Sequence, residues 1–225
     1  MADYKKPDYW QQKARKDGYP ARSVYKLKEI DEKFNLFKTP NLKLSRAAGL
    51  KINRVLDIGA APGSWSLYVL RKASFLKQGS SEPGFLCAVD LSPLSREFDK
   101  GLFDGENFFF IQGDITEAQI RETIIGKGQY SVIISDAAPA TTGNRMIDTS
   151  RSFELSEAVI DYAQASLAAG GNMTVKIFQG GESAELLKRM KSLFETAKTF
   201  KPQACRGDSM ETYLIGLNKK SINAV

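Results

Sequence analysis

The chain is predicted to fold as a doubly wound α/β domain around a mostly parallel sheet, and three observations carry that prediction. From Arg54 onward, short apolar runs alternate with helical stretches. The first run ends in a turn of small residues, Gly59-Ala60-Ala61-Pro62-Gly63. The next two runs end at acids, Asp90 and Asp114. Strands buried on both faces read as unbroken apolar runs, and their alternation with helices implies parallel pairing through crossovers.

Each element can be justified in turn. Residues 8–17 and 23–36 read as helices, the second with Val24, Leu27, Ile30, Phe34 and Phe37 at spacings of three and four. Residues 39–53 read as an irregular connector. RVLDI (54–58) is a strand and Ser64–Lys72 a helix. A Gly/Ser/Pro loop at 78–84 precedes the strand GFLCAV (84–89). FFFIQ (108–112) is a strand, Glu117–Ile125 a helix, and YSVIIS (130–135) a strand apolar enough to be buried throughout. Arg151–Ala169 is a long amphipathic helix stopped by Gly170-Gly171. NMTVKIF (172–178) is a strand, Ala184–Phe194 a helix and TYLIGL (212–217) the last strand. The organisation is a basic helical segment, 1–38, on an α/β domain, 54–225, forming one compact unit.

Composition narrows the chemistry. With 225 residues, 42% apolar and 26% charged, the chain can bury a sizeable single core. It has no apolar run near the ~20 residues that span a bilayer, and MADYKKPDYW lacks the apolar stretch of a secretory signal. Cys87 and Cys205 stand far apart, which excludes a zinc knuckle or disulfide framework and fits the cytoplasm. Histidine is absent. No Ser-His-Asp or Cys-His arrangement is therefore possible, and any general base must be Lys, Asp, Glu or Tyr. Residues 1–28 carry eight Lys/Arg against three Asp, a net +5 of the chain's +6. Among these, Lys13, Arg15, Lys16 and Arg22 are the candidate RNA contacts. Tyr4, Tyr9, Trp10, Tyr19 and Tyr25 are interleaved with the charges, so the segment suits phosphates and unpaired bases.

The strand ends hold the remaining polar candidates. The turn GAAPG leads from strand to helix, where small residues allow close backbone approach to a ligand. It does not fit GxGxxG, and no GxxxxGK[ST] is present, which argues against a dinucleotide or a Walker-type phosphate site. Asp90 suits a ribose diol because a carboxylate accepts two hydroxyl hydrogen bonds at once. Asp114 is placed to accept from an adenine amino group. Asp136 ends the fourth strand in SDAAP. Lys176 lies inside the apolar run TVKIF, where an unpaired lysine is costly.

These segments together resemble a known family. RSVYKLKEIDEKFNLF, VLDIGAAPGSW, AVDLSP, QGDI, IISDAAP, GGNMTVKIFQG and SMETYL occur in the order found in the FtsJ-like RNA 2′-O-ribose methyltransferases, from about Arg22 to Leu217. The resemblance implies a Rossmann-like class I methyltransferase fold, with a seven-stranded sheet containing one antiparallel strand and helices on both faces. It implies S-adenosylmethionine as cofactor, bound by Gly59, Ala60, Pro62, Gly63, Trp65, Asp90, Asp114 and Asp136. It also implies a catalytic set, Lys26, Asp136, Lys176 and Glu211. In this reading Lys176 takes the ribose proton, its pKa lowered by burial and by Lys26, while Asp136 and Glu211 favour its charged form.

The substrate implied is large-subunit, 23S-type ribosomal RNA, and the expected state is a monomer with no metal and no membrane association. The connector at 39–53 and the loop around 73–84 are longer than in the compact bacterial members. Alternatives are methylation of the transfer RNA anticodon loop, methylation of a small molecule or protein, and a catalytically silent RNA-binding or ribosome-assembly factor.

Overall fold

A computed structural model describes residues 9–38, 53–72, 84–180, 183–207 and 209–221. The connector read at 39–53 falls outside the described residues except for Asn53, as do most of the loop around 73–84 and the charges before Tyr9. The elements in chain order are α1 (Tyr9–Lys16), α2 (Val24–Phe34), β1 (Arg54–Ile58), α3 (Ser64–Arg71), β2 (Phe85–Asp90), β3 (Phe108–Gln112), α4 (Ala118–Lys127), β4 (Tyr130–Ser135), α5 (Arg145–Ser166), β5 (Leu167–Phe178), α6 (Ser183–Leu193), β6 (Phe194–Phe200) and β7 (Glu211–Lys219).

The seven strands form one sheet in the order β3-β2-β1-β4-β5-β7-β6. β1 to β5 pair in parallel, and β7 runs antiparallel between β5 and β6. Chain order reverses on the two sides of β1 and β4, so a crevice opens beyond the carboxyl ends of these strands.

Alternation along the strands distributes side chains to two cores. Leu56, Ile58, Val89 and Ile133 face α5 and α6, where they meet Val159, Ile160, Leu186 and Met190. Val55, Val132, Ile134 and Tyr213 face the other way, against Leu27 and Ile30 of α2 and Trp65 and Leu67 of α3. α1 is attached through Ala14, which packs with Val24, Tyr25 and Ala204.

Three elements differ from expectation. α5 begins six residues earlier than Arg151, because Asn144 caps it by accepting from the amides of Met146 (3.0 Å) and Ile147 (3.5 Å). The helix also ends earlier, at Ser166, and Leu167 already pairs with Tyr130 before the chain bulges through Gly170 (φ 77°). β6 was not anticipated: FETAKTF is a half-exposed edge strand that follows α6 with no Gly or Pro between them, so it carries neither an apolar run nor a breaker.

Lys219 on β7 is the least expected core residue. It is 7% exposed, and its ammonium donates to the carbonyls of Ala163 (2.8 Å), Gln164 (2.9 Å) and Leu167 (2.6 Å). Those carbonyls sit at the end of α5, where helical geometry leaves acceptors unpaired and the dipole favours a cation. Burial lowers the Lys219 pKa.

Candidate active site

The turn after β1 is built by its glycines. Gly59 has φ 77°, and a Cβ there would lie 2.5 Å from the backbone N and Cα of Ala137, so the turns after β1 and β4 touch directly. Gly63 has φ 108° at the start of α3, where a Cβ would meet Phe103 at 2.9 Å. Both positions demand the left-handed region that glycine tolerates. The turn is bound to the start of α2: Ala21 N donates to Ser64 Oγ (2.8 Å) and Trp65 Nε1 to the Ser23 carbonyl (2.8 Å). On its other side α2 is held by Glu29, which accepts from the amides of Gln203 (2.7 Å) and Ala204 (2.9 Å) in the β6–β7 loop. This pinning carries Lys26 over the sheet edge towards Glu211.

Four charged side chains and one tyrosine meet there. Asp136, just past β4, lies 3.1 Å from Lys176 Nζ and 3.9 Å from Lys26 Nζ through Oδ1. Lys176 Nζ also donates to the Asp136 carbonyl at 2.5 Å. Lys26 Nζ donates to Glu211 Oε2 at 2.8 Å. Both lysines are buried, 7% exposed each. Sheet register explains the meeting on β5 and β7: Lys176 pairs with Tyr213 and Phe178 with Glu211, which sets Lys176, Tyr213 and Glu211 on one face. Tyr213 was missed in the sequence; its hydroxyl donates to Asp136 Oδ1 at 2.6 Å. The available signal was its place two residues after Glu211 on a strand.

The charges are mutually supportive. Burial pushes the Asp136 pKa up, but Lys176, Lys26 and the Tyr213 hydroxyl outweigh it and hold the carboxyl below its ordinary range. Burial likewise acts to lower Lys26, and Asp136 and Glu211 overcome it, so Lys26 is held more firmly charged than a free lysine. Burial and then Asp136 push Tyr213 well above its ordinary value, so it stays a neutral donor.

A cleft of about 350 Å³ opens beside this cluster. Its apolar lining includes Ile58, Val89, Ile115 and Leu155; Asp90 lines it at the end of β2 and Asp114 lies just past β3, and Arg151 and Glu154 of α5 complete its charged lining. Asp90 accepts from Ala61 N (2.9 Å) and Ser92 N (2.8 Å), which uses two of its roughly four lone-pair sites. Asp114 accepts from the amide and hydroxyl of Thr116, both at 2.8 Å, and these bonds lower its pKa, the backbone amide most.

The comparison with known proteins decides the family. Residues 19–219 match the family model for FtsJ-like methyltransferases. The chain belongs to the FtsJ-like methyltransferase family. Similar proteins include the ribosomal RNA large subunit methyltransferase E of Treponema denticola, 48% identical over 96% of this chain and 97% of that one. The protein of the same name from Borreliella afzelii is 44% identical over 93% and 96%. A crystal structure of a ribosomal RNA methyltransferase from Plasmodium falciparum superposes with TM-score 0.67 at 25% identity, covering 89% of this chain and 98% of that one. Human methyltransferase-like protein 13, solved with SAH, shares the fold with TM-score 0.52 at 14% identity over 84% and 80%. The sheet is that of the Rossmann-like class I methyltransferases.

Within this family frame, the expected cofactor residues separate into two groups. Gly59, Asp90 and Asp114 line the cleft, and Asp136 precedes its lining residue Ala137. Ala60, Pro62 and Gly63 form the turn at its edge. Trp65 is 2% exposed, its indole bonded to Ser23 and packed near Tyr213, and it does not line the cleft.

The basic segment also divides. Arg15 and Lys16 are exposed on α1, and Arg15 lies 3.7 Å from Glu97 in an exposed pair worth little. Lys13 spreads over the rings of Trp10 (5.4 Å) and Tyr25 (5.0 Å). Arg22 donates to the Ala204 carbonyl at 2.9 Å. The aromatic residues expected to stack on bases largely pack on one another instead. Trp10 and Tyr25 are 5.0 Å apart, Tyr25 is buried, and Tyr9 is the one left 69% exposed among the described residues. Their apolar faces attach α1 to the body.

Asp57, inside the family's VLDIGAAPG segment, is wholly buried on the same sheet face as Asp90 and Asp136. Its Oδ2 accepts from Ser66 Oγ at 2.6 Å, and Oδ1 has no partner among the described residues. Burial, with help from Asp136 and Asp90 and against Ser66, pushes its pKa up to about 7. A raised acid pKa means the folded protein binds more protons than the unfolded chain between the ordinary value of ~3.9 and about 7. Its stabilising contribution is full below that window and lost as pH rises through it, with a slope of up to ~1.4 kcal/mol per pH unit. Asp57→Asn should remove this slope; urea unfolding from pH 4.5 to 7 with the wild-type slope would refute the assignment.

Among the described residues, no helix is long and apolar enough to cross a membrane.

Proposed function

We propose that the protein uses S-adenosylmethionine to methylate a ribose 2′-hydroxyl of large-subunit ribosomal RNA. The observation that supports it most is the meeting of Lys26 and Lys176 on Asp136, with Glu211 paired to Lys26, beside a cleft with acids at two successive strand ends, in a chain of this family. The curated relatives compared above both carry large-subunit ribosomal RNA in their names, which favours that substrate over the transfer RNA anticodon loop.

The residues fit the cofactor. The apolar slot suits adenine, Asp114 at its edge suits an amino group, and Asp90 keeps two lone-pair sites that suit a ribose diol. Gly63 and the Trp65 amide stand at the positive end of α3, which suits a carboxylate. When bound, the cofactor supplies an electrophilic methyl group on a sulfonium.

The chain's own residues handle the proton. A ribose hydroxyl is a poor acid, so its proton must leave as the oxygen attacks. Lys176 is the base: once its ammonium has released a proton to solvent, the neutral nitrogen takes the ribose proton, and Asp136 at 3.1 Å balances the ammonium that forms again. Tyr213 and Lys26 fix the Asp136 carboxylate, and Lys26, held charged by Asp136 and Glu211, orients the attacking oxygen and its neighbouring phosphate.

Incubation with a methyl-tritiated cofactor and unmethylated large-subunit ribosomal RNA, with transfer RNA alongside, tests this reading. A 2′-O-methyl group blocks alkaline cleavage of the adjoining phosphodiester. Label is expected in an alkali-resistant linkage of the ribosomal RNA. Label confined to transfer RNA, or released at alkali-sensitive positions, would overturn it.

A further inference from the structure

The first turn of α5 projects past the sheet at the mouth of the site. Along α5, Ser156 Oγ donates to the Lys176 carbonyl (3.1 Å) and Ser152 Oγ accepts from Phe178 N (3.0 Å), so Ser152 is level with the end of β5. Thr149 abuts Gly180 just beyond the strand. Met146, six residues before Ser152, therefore stands ~9 Å past the sheet edge at 1.5 Å rise per residue. It is 81% exposed, and Ile147 beside it is 43% exposed. Two apolar side chains thus stand side by side in water on a projecting helix end beside the site.

The turn is rigid and its acid is occupied. Asp148 accepts from Thr142 N (2.7 Å), Thr142 Oγ1 (2.8 Å) and Gly143 N (3.1 Å), while Asn144 caps the helix. Arg145 opens this turn and is exposed, while Arg151 further along α5 lines the cleft with Glu154. The segment Asp136–Asn144 joins this turn directly to the catalytic cluster, and α1 and α2 stand on the opposite face of the sheet.

We propose that Arg145, Met146 and Ile147 form a second RNA-contacting wall: Met146 and Ile147 cover the face of an unpaired base flanking the methylated nucleotide, and Arg145 takes its phosphate. This rests on the proposed activity and adds where the RNA lies beyond the reacting ribose. A flat apolar contact suits a nucleobase because every base offers a π-face, whereas duplex RNA keeps those faces stacked.

The test uses the full chain and unmethylated large-subunit ribosomal RNA. Aromatic side chains that stack on a base are worth roughly 5- to 150-fold in affinity by alanine substitution, and an aliphatic and thioether contact belongs at the lower end. Met146→Ala with Ile147→Ser should therefore weaken RNA affinity roughly 5- to 10-fold with an unchanged salt slope. Arg145→Ala should make the slope shallower by about one. A photo-crosslinker at position 146 should attach within a few nucleotides of the methylated ribose. Wild-type RNA affinity in the double variant, or crosslinks only to distant RNA or to protein, would overturn this wall while leaving the activity standing. If the wild-type protein labels no ribosomal RNA, both readings fall.

Discussion

Replacing Lys176 by alanine is expected to lower methyl transfer by roughly 10²–10⁴-fold, the usual worth of a positioned general base. Cofactor affinity should change by no more than a few-fold, because Lys176 does not line the cleft that holds Asp90 and Asp114. The companion variant Lys176→Arg separates two roles. Arginine keeps the positive charge beside Asp136 but is never deprotonated in a protein, so it cannot accept the ribose proton. If Lys176 serves only to hold charge, Arg should rescue; if it is the base, Arg should be as inactive as Ala. Single-turnover transfer to ribosomal RNA with equilibrium cofactor binding reads both quantities. Near wild-type transfer by either variant would remove Lys176 from the chemistry.

Asp136→Ala should cost both activity and about 3–5 kcal/mol of stability, the range for removing one partner of a buried ion pair. The cost arises because Lys26 and Lys176, each 7% exposed, would face one another without the carboxylate between them, and the Tyr213 hydroxyl would lose its acceptor. The sign with pH follows from the depressed Asp136 pKa, which burial opposes and the two lysines impose. A depressed carboxyl contributes stability that is present above the unfolded value of ~3.9 and disappears as pH falls through the folded value. The difference between wild type and variant should thus be constant from pH 5 to 7 and shrink below about 4. Urea unfolding across that range checks it. A difference as large at pH 3 as at pH 7 would assign the loss to packing rather than to charge.

How much was legible beforehand depended on whether a feature was local. Parallel strands inside the sheet are buried on both faces, so β1 and β4 stood out as apolar runs with boundaries that match the structure; β3, half-exposed at the sheet edge, was legible through its run of three phenylalanines. Asp90, Asp114 and the glycine turn were readable because a strand end is a position in sequence as much as in space. The start of α5 was misplaced because its signal is a cap, Asn144, rather than an apolar stripe. β6 escaped notice because FETAKTF has no apolar run and no Gly or Pro separates it from α6. Lys219 resembles any terminal lysine until the end of α5 is seen above it.

The amino-acid sequence by itself determined the strand-and-helix alternation, the small-residue turn and the acids that follow it, since each rests on neighbours along the chain. The family resemblance grouped Lys26, Asp136, Lys176 and Glu211, but only the tertiary structure gives the physical reason that they meet. Lys26 and Glu211 are 185 positions apart and meet because α2 is pinned between the Ser64–Trp65 turn and the β6–β7 loop. Tyr213 reaches Asp136 because antiparallel register sets it opposite Lys176. Burial then gives these contacts their force, by removing the water that would otherwise screen them, and burial is a property of the packed chain rather than of any segment.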